Sequence, residues 1–137
     1  MKRVLLTLVL SSTIMFAQSD AEKKAERIQT MQDLESAMSF IQKGFLYNND
    51  SMVKRGVSDF KEKLRFIDSF TINEEKGEDR KSRFNPRTYA LTEVKAISKL
   101  ADGIADNFKD GSKDESLAYF NKTLSRCLTC HRVVRKW

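Results

Sequence analysis

Apolar residues recur at steps of three and four through four segments of this 137-residue chain, and this spacing is the strongest constraint on its fold. One Pro and five Gly are too few to supply the turns of a β-sandwich or barrel. The spacing predicts helices at about 20–46, 50–70, 86–109 and 113–136. Because two of the connections are short, consecutive helices must run antiparallel. We therefore expect an all-α, up-down-up-down four-helix bundle formed by one domain, 18–137. A coiled-coil dimer is the alternative, but turns after about 20 residues favour packing within one chain.

Local signals mark where the predicted helices begin. Ser19 with Glu22 three residues later is a capping box for the first helix. Asn85 followed by Pro86 is typical of a helix start, with Asn at the cap and Pro at the first helical position. The charged segment 71–84 has few apolar residues, so we expect it to be the one long loop.

The N-terminus has the pattern of a secretory signal. A basic start at Lys2 and Arg3 precedes an apolar run, and small residues then offer cleavage after Ala17 or Ser19. The run of thirteen residues is short for a membrane span, which needs about 20, so an uncleaved anchor is the weaker alternative. We predict a signal peptide at 1–17 and a mature protein without a membrane span. Removing Lys2 and Arg3 lowers the net charge from +6 to +4.

The only histidine and both cysteines of the chain lie together in Cys127-Leu128-Thr129-Cys130-His131, near the end of the last predicted helix. Two cysteines separated by two residues, with His directly after the second, form the attachment pattern of c-type haem. The thiols form thioethers with the haem vinyl groups, and the imidazole supplies an axial bond to iron. We expect one covalently bound haem c, with Cys127, Cys130 and His131 facing the bundle interior.

Three other uses of these residues fit the sequence less well. A zinc site would need a fourth ligand and usually a third soft one, and the chain has no further Cys or His. A thioredoxin-like redox pair requires a strand-helix-strand setting, and no segment of this sequence has the pattern of a strand. A disulfide between Cys127 and Cys130 would leave the adjacent His131 unexplained.

The position of the motif narrows the family. The 127–131 motif in the last helix, Arg135 four residues after the histidine, and Arg27-x-x-x-Met31 in the first helix together resemble the class II c-type cytochromes. These are the cytochrome c' family and its low-spin, methionine-ligated relatives, and the resemblance covers the mature chain at the level of four helices. It implies that Met31 faces the distal side of the haem and that Arg27 lies near a propionate.

Two functions follow from the state of the distal position. Antiparallel first and last helices place Met31 at roughly the level of His131, and Met38, about 10 Å further along the same stripe, is the reserve candidate. If a methionine binds, iron has six ligands and the protein is a one-electron carrier. If Met31 is only core packing, a pocket walled by Leu34 and phenylalanines would admit nitric oxide or carbon monoxide, as the resemblance implies.

The remaining features concern partners and location. Covalent haem after export indicates the periplasm, and we expect periplasmic redox proteins as partners. Arg135 either tunes the haem or only matches the helix dipole. Basic residues that surround the motif would steer an acidic redox partner, namely Arg126, Arg132, Arg135 and Lys136.

Further classes are disfavoured. Export and the mild charge argue against nucleic-acid binding. Because the only histidine is assigned to iron, we expect no enzymatic activity. A homodimer is a further expectation, since several apolar residues lie off the core stripes: Phe40, Leu46, Tyr47 and Phe66.

Overall fold

The computed structural model describes residues 19–70 and 84–135. The predicted signal peptide, segment 71–83 and the last two residues, including Lys136, lie outside the described residues. The described part contains four α-helices and no strand: α1 Asp20–Leu46, α2 Asp50–Leu64, α3 Pro86–Lys109 and α4 Lys113–Arg135. The described part of the chain is therefore all-helical, and its arrangement is compatible with a four-helix bundle.

The helices begin where the local signals predict. The Ser19 side chain accepts from the backbone N–H of Glu22, and the Glu22 carboxylate accepts in return from the N–H of Ser19 at 2.7 Å. Asn49 caps α2, and Asn85 caps α3 with Pro86 in the first turn. Side-chain acceptors thus satisfy backbone donors that have no partner inside the helix.

The second helix ends differently from the prediction. Regular α-helix stops at Leu64, six residues before the expected end at 70, and a 3-10 helix, Arg65–Ser69, continues the chain. The Ser69 hydroxyl donates to the carbonyl oxygen of Phe66 at 2.7 Å within this tighter turn. The extended residue that follows, Phe70, is buried. The change of helix type therefore ends α2 with an aromatic side chain in the core.

The core lies between α1, α2 and α3, with α4 packed mainly on α3. Close approach of α1 and α2 depends on Gly56, because a Cβ there would lie 2.6 Å from Ile41 Cγ1 and 3.1 Å from the Ile41 backbone nitrogen. The largest fully buried apolar side chains come from these three helices: Ile41, Val53, Phe60, Ile104 and Phe108.

Helix α4 is rotated relative to the sequence prediction. The three-and-four spacing in α4 predicts Leu117 and Leu124 on the core stripe with Phe120, but the two leucines are 46% and 45% exposed. Ser116 and Thr123 are fully buried instead, and the Ser116 hydroxyl donates to the Ile104 carbonyl oxygen at 2.7 Å. Small residues at the contact let α4 approach α3 closely. The leucine prediction was wrong because apolar spacing alone does not show which face packs.

No helix within the described residues is long and apolar enough to cross a membrane.

Candidate haem-attachment site

The 127–131 motif lies within one uninterrupted helix. Helix α4 continues to Arg135, and Cys127 and Cys130 are both free thiols. Cys127 packs against the hydrophobic core, while Cys130 and His131 are half-buried. Residues three and four apart share a helix face, so the three side chains lie on one side of α4.

That side of α4 includes Phe120 and faces α1. The Cα atoms of α1 and α4 stay more than 8 Å apart throughout the described residues, whereas each consecutive helix pair packs more closely. The rings of Phe45 and Phe120 bridge α1 and α4, with centroids 5.7 Å apart at 79°. Met31 and Met38 lie fourteen and seven residues before Phe45, so they share its face of α1. By this spacing Met31 and Met38 on α1 flank the same region as Cys127 and His131 on α4, and we call this region the α1–α4 cleft.

The Phe45–Phe120 contact also sets the relative level of residues on the two antiparallel helices. Counting eleven residues from each ring places Leu34 level with His131. At about 1.5 Å per residue, Met31 lies about 4.5 Å to one side of that level and Met38 about 6 Å to the other. Both methionines are half-buried and pack against the core, and Leu34 is buried.

The edges of the cleft are apolar. Leu124 and Leu128 follow Phe120 at four-residue steps, and both remain more than 40% exposed. Ile28, one turn before Met31, is about half exposed on the opposite helix. The cleft therefore offers apolar walls beside two thiols and an imidazole, a donor set that fits a covalently bound haem.

The two predicted arginines lie toward the same end of the bundle. Arg27 is half-buried one turn before Met31, and Arg135 is exposed one turn after His131. Because α1 begins where α4 ends, both lie on the same side of the level of Leu34 and His131, away from the Phe45–Phe120 contact.

Burial controls the protonation of the motif. It raises the pKa of the Cys127 thiol to about 11, with a further contribution from Cys130. Burial and then the charge of Glu93 raise the pKa of Cys130. Burial and then the nearby Arg135 lower the pKa of His131, which favours the neutral imidazole that can bind a metal.

Sequence reasoning missed an ion pair beside the motif. One guanidinium nitrogen of Arg126 donates to both carboxylate oxygens of Glu93, at 3.0 Å and 2.9 Å. Glu93 is only 8% exposed. A signal was present, because Glu93 follows the buried Ala90 by three residues and precedes the buried Ile97 by four. A carboxylate at a core position of this kind requires a partner.

No family model, curated protein or solved structure matches the chain. Within 19–70 and 84–135 there is no group of three or more His, Cys, Asp or Glu side chains that could by themselves hold a metal ion.

Proposed function

We propose that this chain is a monohaem c-type cytochrome of the class II kind that carries single electrons in the periplasm. The observation that supports this most strongly is the position of Cys127, Cys130 and His131. They share one face of α4, the same face as Phe120, which contacts α1, and the spacing along α1 puts two methionines on the side that faces α4. The proposal therefore rests on the attachment motif and on the apolar and thioether side chains that lie near it.

Each residue of the 127–131 motif would have its own role in binding the haem. Cys127 and Cys130 would form the two thioether bonds, and His131 would be the axial iron ligand. The lowered pKa of His131 keeps a nitrogen lone pair available for this bond. When bound, a haem supplies a reversible ferric–ferrous couple. Arg27 would hold a propionate, and Arg135 would adjust the electrostatic potential around His131.

We propose Met31 as the second axial ligand, with Met38 as the reserve. Both side chains line the cleft within about one helical turn of the level of His131. A thioether ligand gives a low-spin iron with a raised reduction potential, which suits an electron carrier. The apolar walls limit water around the group, which also favours the reduced state.

A second function is favoured by Leu34. Its buried side chain, and not a methionine, lies level with His131. If neither methionine binds, the distal side is a small apolar pocket that accepts nitric oxide or carbon monoxide. This is the five-coordinate, cytochrome c'-like alternative.

The partners follow from the surface near the cleft. Arg132 and Arg135 are exposed, so an acidic periplasmic redox protein is the proposed partner.

A second surface concerns the predicted homodimer. Leu46, Tyr47 and Phe66 are exposed as well, while Phe40 is half-buried. Homodimer formation through these residues stays a prediction.

The visible spectrum of the purified protein, produced in a host that exports it and attaches haem, tests the proposal. Sharp, split bands when reduced, with a weak far-red sulfur-to-iron band when oxidised, support the electron carrier. Broad high-spin bands that change under carbon monoxide support the gas-binding alternative. Absence of haem absorption from protein made in such a host contradicts both.

A further inference from the structure

Glu93, which pairs with Arg126, is the most buried carboxylate among the ion pairs between helices in the described part of the chain. The Glu93 side chain is 11% exposed and the Arg126 side chain 47%. In the other ion pairs between helices, Asp33 with Lys63 and Asp102 with Lys61, every side chain is about a third or more exposed. A carboxylate so poorly solvated depends on its partner far more than a surface carboxylate does.

The pair lies directly beside the haem-attachment segment. Arg126 immediately precedes Cys127 and lies one turn before Cys130 on the same face of α4. Glu93 reaches Arg126 from α3, which runs antiparallel to α4, so the residue one turn earlier on α3, Tyr89, lies level with Cys130. The Glu93 carboxylate is within electrostatic reach of both thiols.

The ion pair has two consequences for this segment. Its two hydrogen bonds join α4 to α3 at the start of the motif. The pair also places a negative and a positive charge side by side near the positions of both thioethers. Because the two charges offset each other, loss of either one leaves the other uncompensated next to the haem.

We propose that Glu93 is a positioning residue that, through Arg126, holds the attachment segment of α4 on α3 and balances the charge beside the haem. This inference rests on the proposed function for its electrostatic part, whereas the positioning part concerns the polypeptide alone. Charges near a haem act on its reduction potential, since the ferrous form carries one positive charge less than the ferric form.

The electrostatic part is tested by the midpoint potentials of haem-loaded variants at alkaline pH. Glu93→Gln leaves Arg126 uncompensated, so we expect a higher potential. Arg126→Gln leaves the carboxylate uncompensated, so we expect a lower potential. The double variant Glu93→Gln/Arg126→Gln should return toward wild type. Asp102→Asn, which removes another interhelical carboxylate from α3, is the matched control and should leave the potential unchanged.

The directions of the shifts in midpoint potential distinguish charge balance from a general loosening of the fold. Shifts of the two single variants in the same direction, or no shift in either, would overturn the electrostatic part. If Glu93→Gln does not fold, Arg126→Gln decides alone, because a glutamine amide can still donate a hydrogen bond to the Glu93 carboxylate and the predicted fall in potential still applies.

The positioning part is tested without haem. Hydrogen exchange of the haem-free protein should show faster exchange at amides 126–131 in Glu93→Gln than in wild type, and no change there in Asp102→Asn. Equal protection in Glu93→Gln and wild type would refute the positioning role. Failure of wild type to bind haem would refute the proposed function, while this exchange result would still stand.

Discussion

Phe45 of α1 and Phe120 of α4 meet edge to face, with ring centroids 5.7 Å apart, and they join two helices whose backbones remain separated. Phe45 makes a similar contact with Phe108 of α3 at 5.1 Å, so this aromatic group closes one end of the cleft. Toward the other end, the walls are Met31 and Met38 on α1 and Cys127 and His131 on α4. The aromatic contact therefore sets the relative level of residues on α1 and α4 in the candidate site.

Met31 and Met38 lie at similar distances from the level of His131, so a substitution of each one can identify the axial ligand. We predict that Met31→Leu abolishes the far-red sulfur-to-iron band and converts the oxidised protein to a high-spin spectrum, whereas Met38→Leu leaves the spectrum low-spin. Leucine keeps the volume close to that of methionine, so the packing changes little. An unchanged low-spin spectrum in Met31→Leu would exclude Met31 and transfer the assignment to Met38.

Burial of Cys127 predicts slow thiol chemistry in the haem-free, folded protein. Its pKa rises from 9.0 to about 11, so the reactive thiolate at pH 8 falls by about 100-fold. We expect iodoacetamide to react with Cys127 about 100-fold more slowly in the folded protein than in denaturant, and the rate to increase with pH up to about 11. The variant Cys130→Ser isolates this thiol and retains burial, the main cause. Equal rates in folded and denatured protein would refute the prediction.

The contact between α3 and α4 predicts that a leucine at position 116 destabilises the protein, whereas loss of the leucine at position 117 has little effect. Ser116→Leu forces a large side chain into the space where the serine hydroxyl meets the Ile104 carbonyl, so we expect destabilisation of about 3 kcal/mol or more. Leu117→Ser changes an exposed neighbour and should alter the free energy of unfolding by about 0.5 kcal/mol or less. Urea denaturation followed by circular dichroism measures both. The reverse order of stability would mean that α4 packs through its leucines.

The contact between α1 and α2 makes Gly56 sensitive to a single methyl group. Alanine favours a helix by about 1 kcal/mol over glycine, yet the added Cβ would lie too close to Ile41. We expect the steric cost to dominate, with Gly56→Ala destabilising the protein by about 1–2 kcal/mol. Ser58→Ala, at an exposed position of the same helix, is the control. Thermal melting that shows Gly56→Ala to be as stable as wild type would contradict the close approach.

The sequence predicted helix existence and helix starts well because these depend on neighbouring residues. The Ser19–Glu22 capping box and the Asn85-Pro86 start act within one turn, so they can be read without knowledge of the fold. The change from α-helix to 3-10 helix after Leu64 is followed by the buried Phe70, and burial depends on the tertiary fold and not on neighbouring residues alone. That boundary was therefore misplaced by six residues.

The rotation of α4 shows that the spacing of apolar residues does not always predict which helix face is buried. Leu117 and Leu124 are more apolar than Ser116 and Thr123, but only the smaller residues fit against α3. Which stripe faces inward is decided by the shape of the neighbouring helix, and that information is not local. The Glu93–Arg126 pair was missed for the same reason, since its partners lie 33 residues apart.

The candidate site was predictable in part. The attachment residues follow from their spacing in five consecutive positions, whereas the width of the α1–α4 cleft depends on the packing of all four helices. The sequence predicts Met31 at roughly the level of His131. Counting from the Phe45–Phe120 contact puts Leu34 nearest to that level, with Met31 and Met38 within about one helical turn on either side.

The most direct test is the mass of the exported protein under denaturing conditions that release non-covalent haem. The account predicts one haem per chain that remains attached to wild type, and none attached to the double variant Cys127→Ala/Cys130→Ala. Wild-type protein that carries no covalent haem after expression with haem-attachment enzymes would contradict the account.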